Sequence, residues 1–254
     1  MKLPPLFPDL STRATQAEYM DDPDCNLDRL HRTLDQFALI NRLFTRVRHL
    51  LDIHVVRSMQ RDPGRVYHLV DLGAGACDVP AWLLRHCAAR GLRLRISACD
   101  HDPRVVAFAR RRHGHLAGLD ILCRDATDLG DLAPIDFIFA SHLLHHLPDR
   151  AVVDLLRTLP RTGAHVVLLN DIERRRSAYV SFYAAARFLF RGSYAFEDGL
   201  LSIRKSFRPH ELQALLAGGS VPPYQIDRVF PARIVLRRQH DTHGSLSRPS
   251  RCRE

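Results

Sequence analysis

Apolar residues return along this chain in two rhythms. Leu27, Leu30, Leu34, Phe37, Ile40, Leu43, Phe44, Val47 and Leu51 recur every three or four positions. That spacing keeps them on one face of a helix running from Asn26, a plausible cap, to about Met59, with a break near Asn41. Arg61-Asp62-Pro63-Gly64 is a turn signal that closes the segment. Beyond it, strand-like runs appear at 66–72, 94–100, 119–124, 135–141 and 164–170, and helical spacing fills 79–90, 103–113 and 149–160. A strand that is apolar at successive positions is covered on both faces, so the alternation predicts an α/β fold with an open parallel sheet between helices. The link 125–134 has room for a turn or two of helix.

Past Asn170 the rhythm changes. Residues 171–192 read as helix, rich in arginine and aromatics, Tyr194 to Phe207 as a loop or hairpin, and Arg208 to Leu212 as the start of another helix. The runs 224–230 and 232–238 are joined too tightly for a crossover and predict an antiparallel hairpin at the sheet edge. The expected organisation is an N-terminal helical cap (1–64), a main domain (65–238) with an insertion (171–210), and a disordered polar tail (239–254).

Composition adds limits. With 254 residues, 46% of them apolar, the chain suits one large domain. No window has the long uncharged run of a membrane helix, and MKLPPLFPDL lacks the core of a secretory leader, so a cytoplasmic protein is expected. The six cysteines form no CxxC pair and read as reduced thiols. The net charge of +9 gathers at Arg110-Arg111-Arg112, Arg174-Arg175-Arg176 and the C-terminal tail. No basic stretch is interleaved with aromatics that would stack bases, so solvated helix faces are expected rather than a nucleic-acid surface.

The chemistry concentrates where strands end, since ligands of open parallel sheets bind beyond the carboxyl ends. Strand one runs into Asp71-Leu72-Gly73-Ala74-Gly75-Ala76-Cys77-Asp78, and Pro80 suits the first turn of the following helix. A dinucleotide fingerprint needs a third glycine where Asp78 stands. A carboxylate there repels a pyrophosphate and favours a cationic ligand. Asp100 ends strand two, where it can accept from both ribose hydroxyls, and Asp102 is the better cap for the helix after Pro103. Asp125 follows strand three and can accept from an adenine amine. Strand four leads to Ser141-His142-Leu143-Leu144-His145-His146, three histidines near one strand tip.

Together DLGAGACD, ACDHDP, RDATDL and FIFASHLLHHLPD resemble, in order, the motifs of the class I S-adenosylmethionine-dependent methyltransferases, over roughly residues 65–238. The resemblance implies a Rossmann-like, doubly wound, seven-stranded sheet with a terminal antiparallel hairpin, N-terminal helices and a helical insertion after strand five. It implies S-adenosyl-L-methionine as cofactor, with Asp71, Gly73, Ala74, Gly75 and Asp78 around its amino-acid part. Asp100 and His101 would serve the ribose, and Asp125, Ala126 and Ser141 complete the set. More loosely, the N-terminal helices and the insertion are similar to those of methyltransferases acting on phenolic polyketides and quinones. This implies a small-molecule acceptor methylated at oxygen, and leaves room for a homodimer.

An acceptor hydroxyl must lose a proton, and a histidine of ordinary pKa can take it. His142, His145 and His146 are the candidates. On a helix beginning near Ser141, His142 would share a face with His145 or His146, and its place directly after the strand favours it. The same spacing suits zinc, but neither cysteine nor a second histidine pair lies at ligand spacing, so no metal is expected. Tyr179, Phe182, Tyr183 and Arg204 are expected acceptor contacts, Asp171 and Arg174 orienting groups, and Glu18 to Asp22 a closing segment. The competing functions are an RNA methyltransferase, a non-catalytic protein that retains the cofactor, and, third, a dehydrogenase. Strand four lacks the Asn/Asp-Pro-Pro-aromatic segment of enzymes that methylate base amines.

Overall fold

The computed structural model describes residues 4–132 and 134–239. The predicted tail falls outside them, apart from Gln239, as does Cys252. The sheet holds β1 (Val66–Leu72), β2 (Arg93–Asp100), β3 (Leu119–Cys123), β4 (Phe137–Ser141), β5 (Val166–Ile172), β6 (Gln225–Val229) and β7 (Arg233–Gln239). Their order is β3-β2-β1-β4-β5-β7-β6. The first five strands pair in parallel, and β7 runs antiparallel to both β5 and β6. The expected seven-stranded sheet with a reversed terminal hairpin is therefore present. Chain order reverses between β1 and β4, and the crevice at such a switch point is where ligands of open sheets bind.

The helices are α1 (Leu27–Phe44), α2 (Val47–Leu51), α3 (Arg57–Met59), α4 (Asp78–Ala88), α5 (Pro103–His113), α6 (Asp149–Thr158), α7 (Arg176–Leu189), α8 (Ala195–Lys205) and α9 (Pro209–Gly218). Asn26 caps α1 by accepting from the Arg29 N–H. Helix α1 runs unbroken past Asn41 to Phe44, and the break comes at Arg46, in the left-handed region at φ 57°.

Val47, Leu50, Val55 and Met59 pack with Leu69, Leu83, Ile96 and Phe137 on one face of the sheet. Ile138, Leu156, Leu169, Leu212 and Leu236 cover the other. The stretch 47–59 is thus part of the sheet core, whereas α1 lays Leu30 and Leu34 on Val105 and Phe108. No helix among the described residues is long and apolar enough to cross a membrane.

The segment expected to be a loop or hairpin, Tyr194 to Phe207, is helix α8. Phe196, Leu200 and Ile203 are buried at helical spacing against Tyr179 and Phe182 of α7. Gly199 has a steric reason to stand mid-helix. A Cβ built there would lie 2.4 Å from Cε1 and 2.5 Å from Cζ of Phe182, so the ring occupies the space a side chain would need.

Arg174 is not a solvated surface residue. It is fully buried, donating to the Leu10, Ser11 and Ser206 carbonyls and pairing with both oxygens of Glu211. Cys77, Cys87 and Cys99 are buried thiols, Cys25 is partly buried and Cys123 is exposed.

Candidate active site

The carboxyl ends of β1, β2 and β4, with Ile172 at the end of β5, open into a cavity of about 1050 Å³. One end is built by the glycine turn. Gly73 and Gly75 take positive φ (67° and 54°), and the Ala74 N–H donates to the Cys99 carbonyl, 2.9 Å. A Cβ on Gly73 would come within 3.3 Å of Leu143 Cδ1, so bare backbone is needed for this close approach.

Carboxylates surround the turn. Asp71 is buried, and burial, with Asp78 and Asp100 adding, pushes its pKa well above the usual range. Burial likewise raises Asp78, against the opposing bonds from Asn41 Nδ2 to its two oxygens (3.1 and 3.2 Å). It raises Asp100 too, whose Oδ2 accepts from the Gly75 N–H (2.9 Å) and Oδ1 from the Asp102 N–H (3.1 Å). Among the described residues none of these three carboxylates pairs with lysine or arginine, and a cationic ligand placed among them would favour their ionised forms.

His101, exposed, and Ala126 and Ser141 also line the cavity. So does Asp125, held by bonds from the Thr127 N–H and hydroxyl that lower its pKa.

At the other end stand the histidines. The helix expected from Ser141 is absent. His142 sits at φ 62°, and a single 3-10 turn, Leu144–His146, follows. Arg233, buried in β7, donates to Nε2 of His142 (3.0 Å) and, through Nε, to Asn170 Oδ1 (3.1 Å). A guanidinium only donates, so this Nε2 lone pair is occupied. Burial first, then Arg233, also holds the His142 pKa well below its ordinary value. The favoured proton acceptor is therefore a neutral ring with its Nε2 taken.

His145 is disposed differently. Its backbone N–H and Nδ1 both bind Asp171, at 3.0 and 2.7 Å, which orients the ring with Nε2 facing away from that carboxylate. Although burial opposes it, the charge and hydrogen bond of His145 hold Asp171 far below the usual carboxylate pKa. Asp171 thus orients His145 and does not reach the cavity. His146 lies beside it, rings 4.4 Å apart, with Nδ1 3.4 Å from Asp21 Oδ2. Burial disfavours its charged form, but Asp21 and Glu18 outweigh that and raise its pKa.

Of the segment Glu18 to Asp22, expected to close over the cofactor, Glu18, Met20 and Asp21 line the cavity, and Glu18 and Asp21 stand beside the histidines. Glu18 is buried, its Oε1 accepting from Ser202 Oγ (3.0 Å) and Lys205 Nζ (3.1 Å). Asp198 pins the segment by accepting from the Tyr19 and Met20 N–H groups (2.8 and 3.0 Å). Glu18 was legible only as part of a lid, and nothing in the sequence singled out Asn41, Asp198, Ser202 or Arg233.

Of the expected acceptor contacts, Phe182 lines the cavity. Tyr179 does not. It is buried in the α7–α8 cluster and donates to the Pro5 carbonyl, 2.8 Å. Tyr183 packs edge-on against Phe196, 5.3 Å between centroids, and Arg204 Nε is buried without a partner among the described residues. Helix α7 instead turns Ser177, Ala178 and Ser181 to the cavity, with Ile40, Leu43, Phe44 and Phe230 opposite them on other elements. Arg174 is withdrawn into its buried brace.

Burial is the main reason the Asp198 pKa rises to about 7, with Glu18 and Asp21 adding and the two N–H donors opposing. A folded state that holds this proton more tightly than the unfolded chain loses stability as pH climbs from the ordinary carboxylate value toward 7. Asp198→Asn is expected to remove that component. Its melting temperature should fall less than the wild type's between about pH 5 and about pH 8 in paired thermal melts, and parallel pH curves would contradict the assignment.

A family model described as a methyltransferase domain matches residues 69–163. No curated protein sequence matches the chain. Among solved structures, the plantazolicin methyltransferase BpumL, in complex with a triazolic desmethylPZN analog and SAH, is similar over 83% of this chain and 76% of that one. Its TM-score is 0.59 at 15% identity. Human N-acetylserotonin methyltransferase, in complex with SAM, is similar over 89% of this chain and 63% of its own, with a TM-score of 0.56 and 16% identity. At such identities the likeness speaks for the fold, and the matched domain spans the glycine turn and the tips of the first four strands. That domain match and this sheet order agree with the fold expected from the resemblance to the class I S-adenosylmethionine-dependent methyltransferases.

Proposed function

We propose that the protein transfers the methyl group of S-adenosylmethionine to the oxygen of a small, largely apolar acceptor of aromatic, phenolic polyketide or quinone-like type. The observation that carries the donor end is the group of three carboxylates, buried Asp71 and half-buried Asp78 and Asp100, set around bare glycine backbone without a lysine or arginine partner among the described residues. Bound there, the cofactor supplies an electrophilic methyl group on a positively charged sulfur. Gly73 and Gly75 admit its amino-acid part, Asp100 accepts from the ribose hydroxyls through lone pairs its two backbone donors leave free, and Asp125 lies beyond for the base.

The acceptor end is apolar on its walls (Ile40, Leu43, Phe44, Phe182, Ile203, Phe230) and polar where Glu18, His145 and His146 meet. A flat apolar body fits such walls, and its hydroxyl is drawn to the polar corner. Alignment of nucleophile and methyl is the main catalytic demand, and such positioning can be worth ~7–11 kcal/mol. Loss of the acceptor proton falls to the His145 and His146 corner, not to His142. The apolar walls of the acceptor end favour a small apolar molecule over RNA.

The test has two parts. S-adenosylhomocysteine should raise the melting temperature while NAD leaves it unchanged. Incubation with methyl-labelled cofactor and fractionated metabolites should put label into an apolar, hydroxyl-bearing fraction. Stabilisation by NAD, or label appearing only in RNA, would overturn the reading.

A further inference from the structure

We infer that Glu18, His145 and His146 form a divalent-cation site of the zinc type on the acceptor wall of the cavity. Glu18 Oε1 lies 3.8 Å from His145 Nε2, and Glu18 Oε2 lies 3.8 Å from His146 Nε2. One donor atom from each residue can be chosen so that all three lie within 4.8 Å of one another. These gaps are too long for hydrogen bonds and too short to admit another side chain. Tetrahedral zinc ligands with bonds of about 2.0–2.1 Å stand about 3.3 Å apart, so each of the two glutamate–histidine gaps would contract by about half an ångström on binding. Two histidines and a glutamate with one position open to solvent is a ligand set used by catalytic zinc.

The outer groups are already those a metal site needs. A metal-bound imidazole usually gives its second N–H to a carboxylate, which fixes the tautomer and aims the lone pair. His145 has Asp171 in that place at 2.7 Å, and His146 has Asp21 at 3.4 Å. Both Nε2 atoms then turn toward Glu18. Ser202 and Lys205 occupy Glu18 Oε1 and leave Oε2 to serve as ligand. Glu18, Asp21 and Asp171 bring three negative charges to this corner. Among the described residues the one lysine or arginine in ionic contact with them is Lys205. An excess of carboxylate over lysine and arginine at the corner favours a cation there.

All three ligands line the cavity, so the open coordination position would face the acceptor and polarise its oxygen. Sequence spacing missed the set because its third ligand comes from the N-terminal segment. The site itself stands on its own geometry, and only its role in methyl transfer rests on the proposed function.

The full-length protein, stripped with chelator, is titrated with cobalt(II) as a spectroscopic stand-in and with zinc for metal analysis. One equivalent should bind with the visible absorption of low-coordinate cobalt. Glu18→Gln should weaken binding by tenfold or more, and Asp171→Asn by about 10–100-fold. S-adenosylhomocysteine affinity, measured on each variant, reports folding and the donor reading separately, because that ligand sits at the other end. Failure of metal to bind wild type overturns the site, as does equal binding by a folded Glu18→Gln protein. Failure of S-adenosylhomocysteine to bind wild type overturns the donor reading and leaves the metal result standing. Undiminished methyl transfer by metal-free protein would return His145 to the role of direct base and overturn the ion's catalytic role.

Discussion

Asp100→Ala is expected to weaken S-adenosylhomocysteine binding by about a hundredfold or more while leaving the melting temperature of the unliganded protein nearly unchanged. The first effect has two sources. The carboxylate braces the glycine turn through the Gly75 N–H and the next loop through the Asp102 N–H. In the proposed complex it also accepts from the ribose, and hydrogen bonds to a charged group are worth ~1.5–3 kcal/mol each. The second effect follows from burial. A carboxylate whose pKa burial has raised is already costly to ionise, so its removal relieves roughly what the lost backbone bonds contributed. Asp100→Asn should lie near the alanine variant, because an amide cannot accept from two separate N–H donors with both of its heavy atoms. Calorimetric titration reads the affinity, and thermal melts with and without ligand read the split. Wild-type affinity in either variant would detach this side chain from the donor.

The largest loss of stability is expected from Arg174→Met. The guanidinium is fully buried and meets Glu211 through both oxygens, besides the carbonyls of Leu10, Ser11 and Ser206. Losing the guanidinium costs ~3–5 kcal/mol, because three carbonyls on its buried side lose their donor together with the half-buried Glu211 carboxylate. At this chain length that corresponds to a fall of roughly 6–20 °C in melting temperature. Lysine should not rescue it, since a point ammonium cannot reproduce the planar fork. Differential scanning calorimetry decides the matter, and a fall of less than about 2 °C would show that the brace contributes little. The same change should loosen the segment from Leu10 to Asp22, which Arg174 ties to the ends of α8 and β5.

How far the sequence could be read depended on whether a feature is local. Strands β1 and β5 announce themselves because every position from Tyr67 to Leu72 and from Val166 to Ile172 is buried, which makes the runs largely apolar and confines their charges near the strand tips to Asp71 and Asp171. The glycine turn and the acidic strand tips are equally local. The acceptor wall is not. A helix turns about 100° per residue, so the aromatic stripe of α7 and its cavity face can be adjacent without coinciding. Tyr179 and Tyr183 took the core side, while Ser177 and Ser181 took the cavity. Helix α8 was hidden by Gly199, a residue whose reason for being there is the ring of Phe182. His142 looked favoured because an α-helix was assumed after β4. Its positive φ and its bond to Arg233, far along the chain, remove that premise. Glu18 and Asp198 become meaningful only when distant segments meet.

The two ends of the cavity are built from different parts of the chain. The donor berth belongs to strand tips locked into the sheet core, whereas Leu43, Phe44, Ser177, Ser181 and Phe230 stand on α1, α7 and the terminal hairpin. Acceptor preference can therefore drift, in evolution or in a designed library, by exchange of a few side chains that lie away from the strand tips. A single ancestral berth could in this way have been fitted to many different molecules.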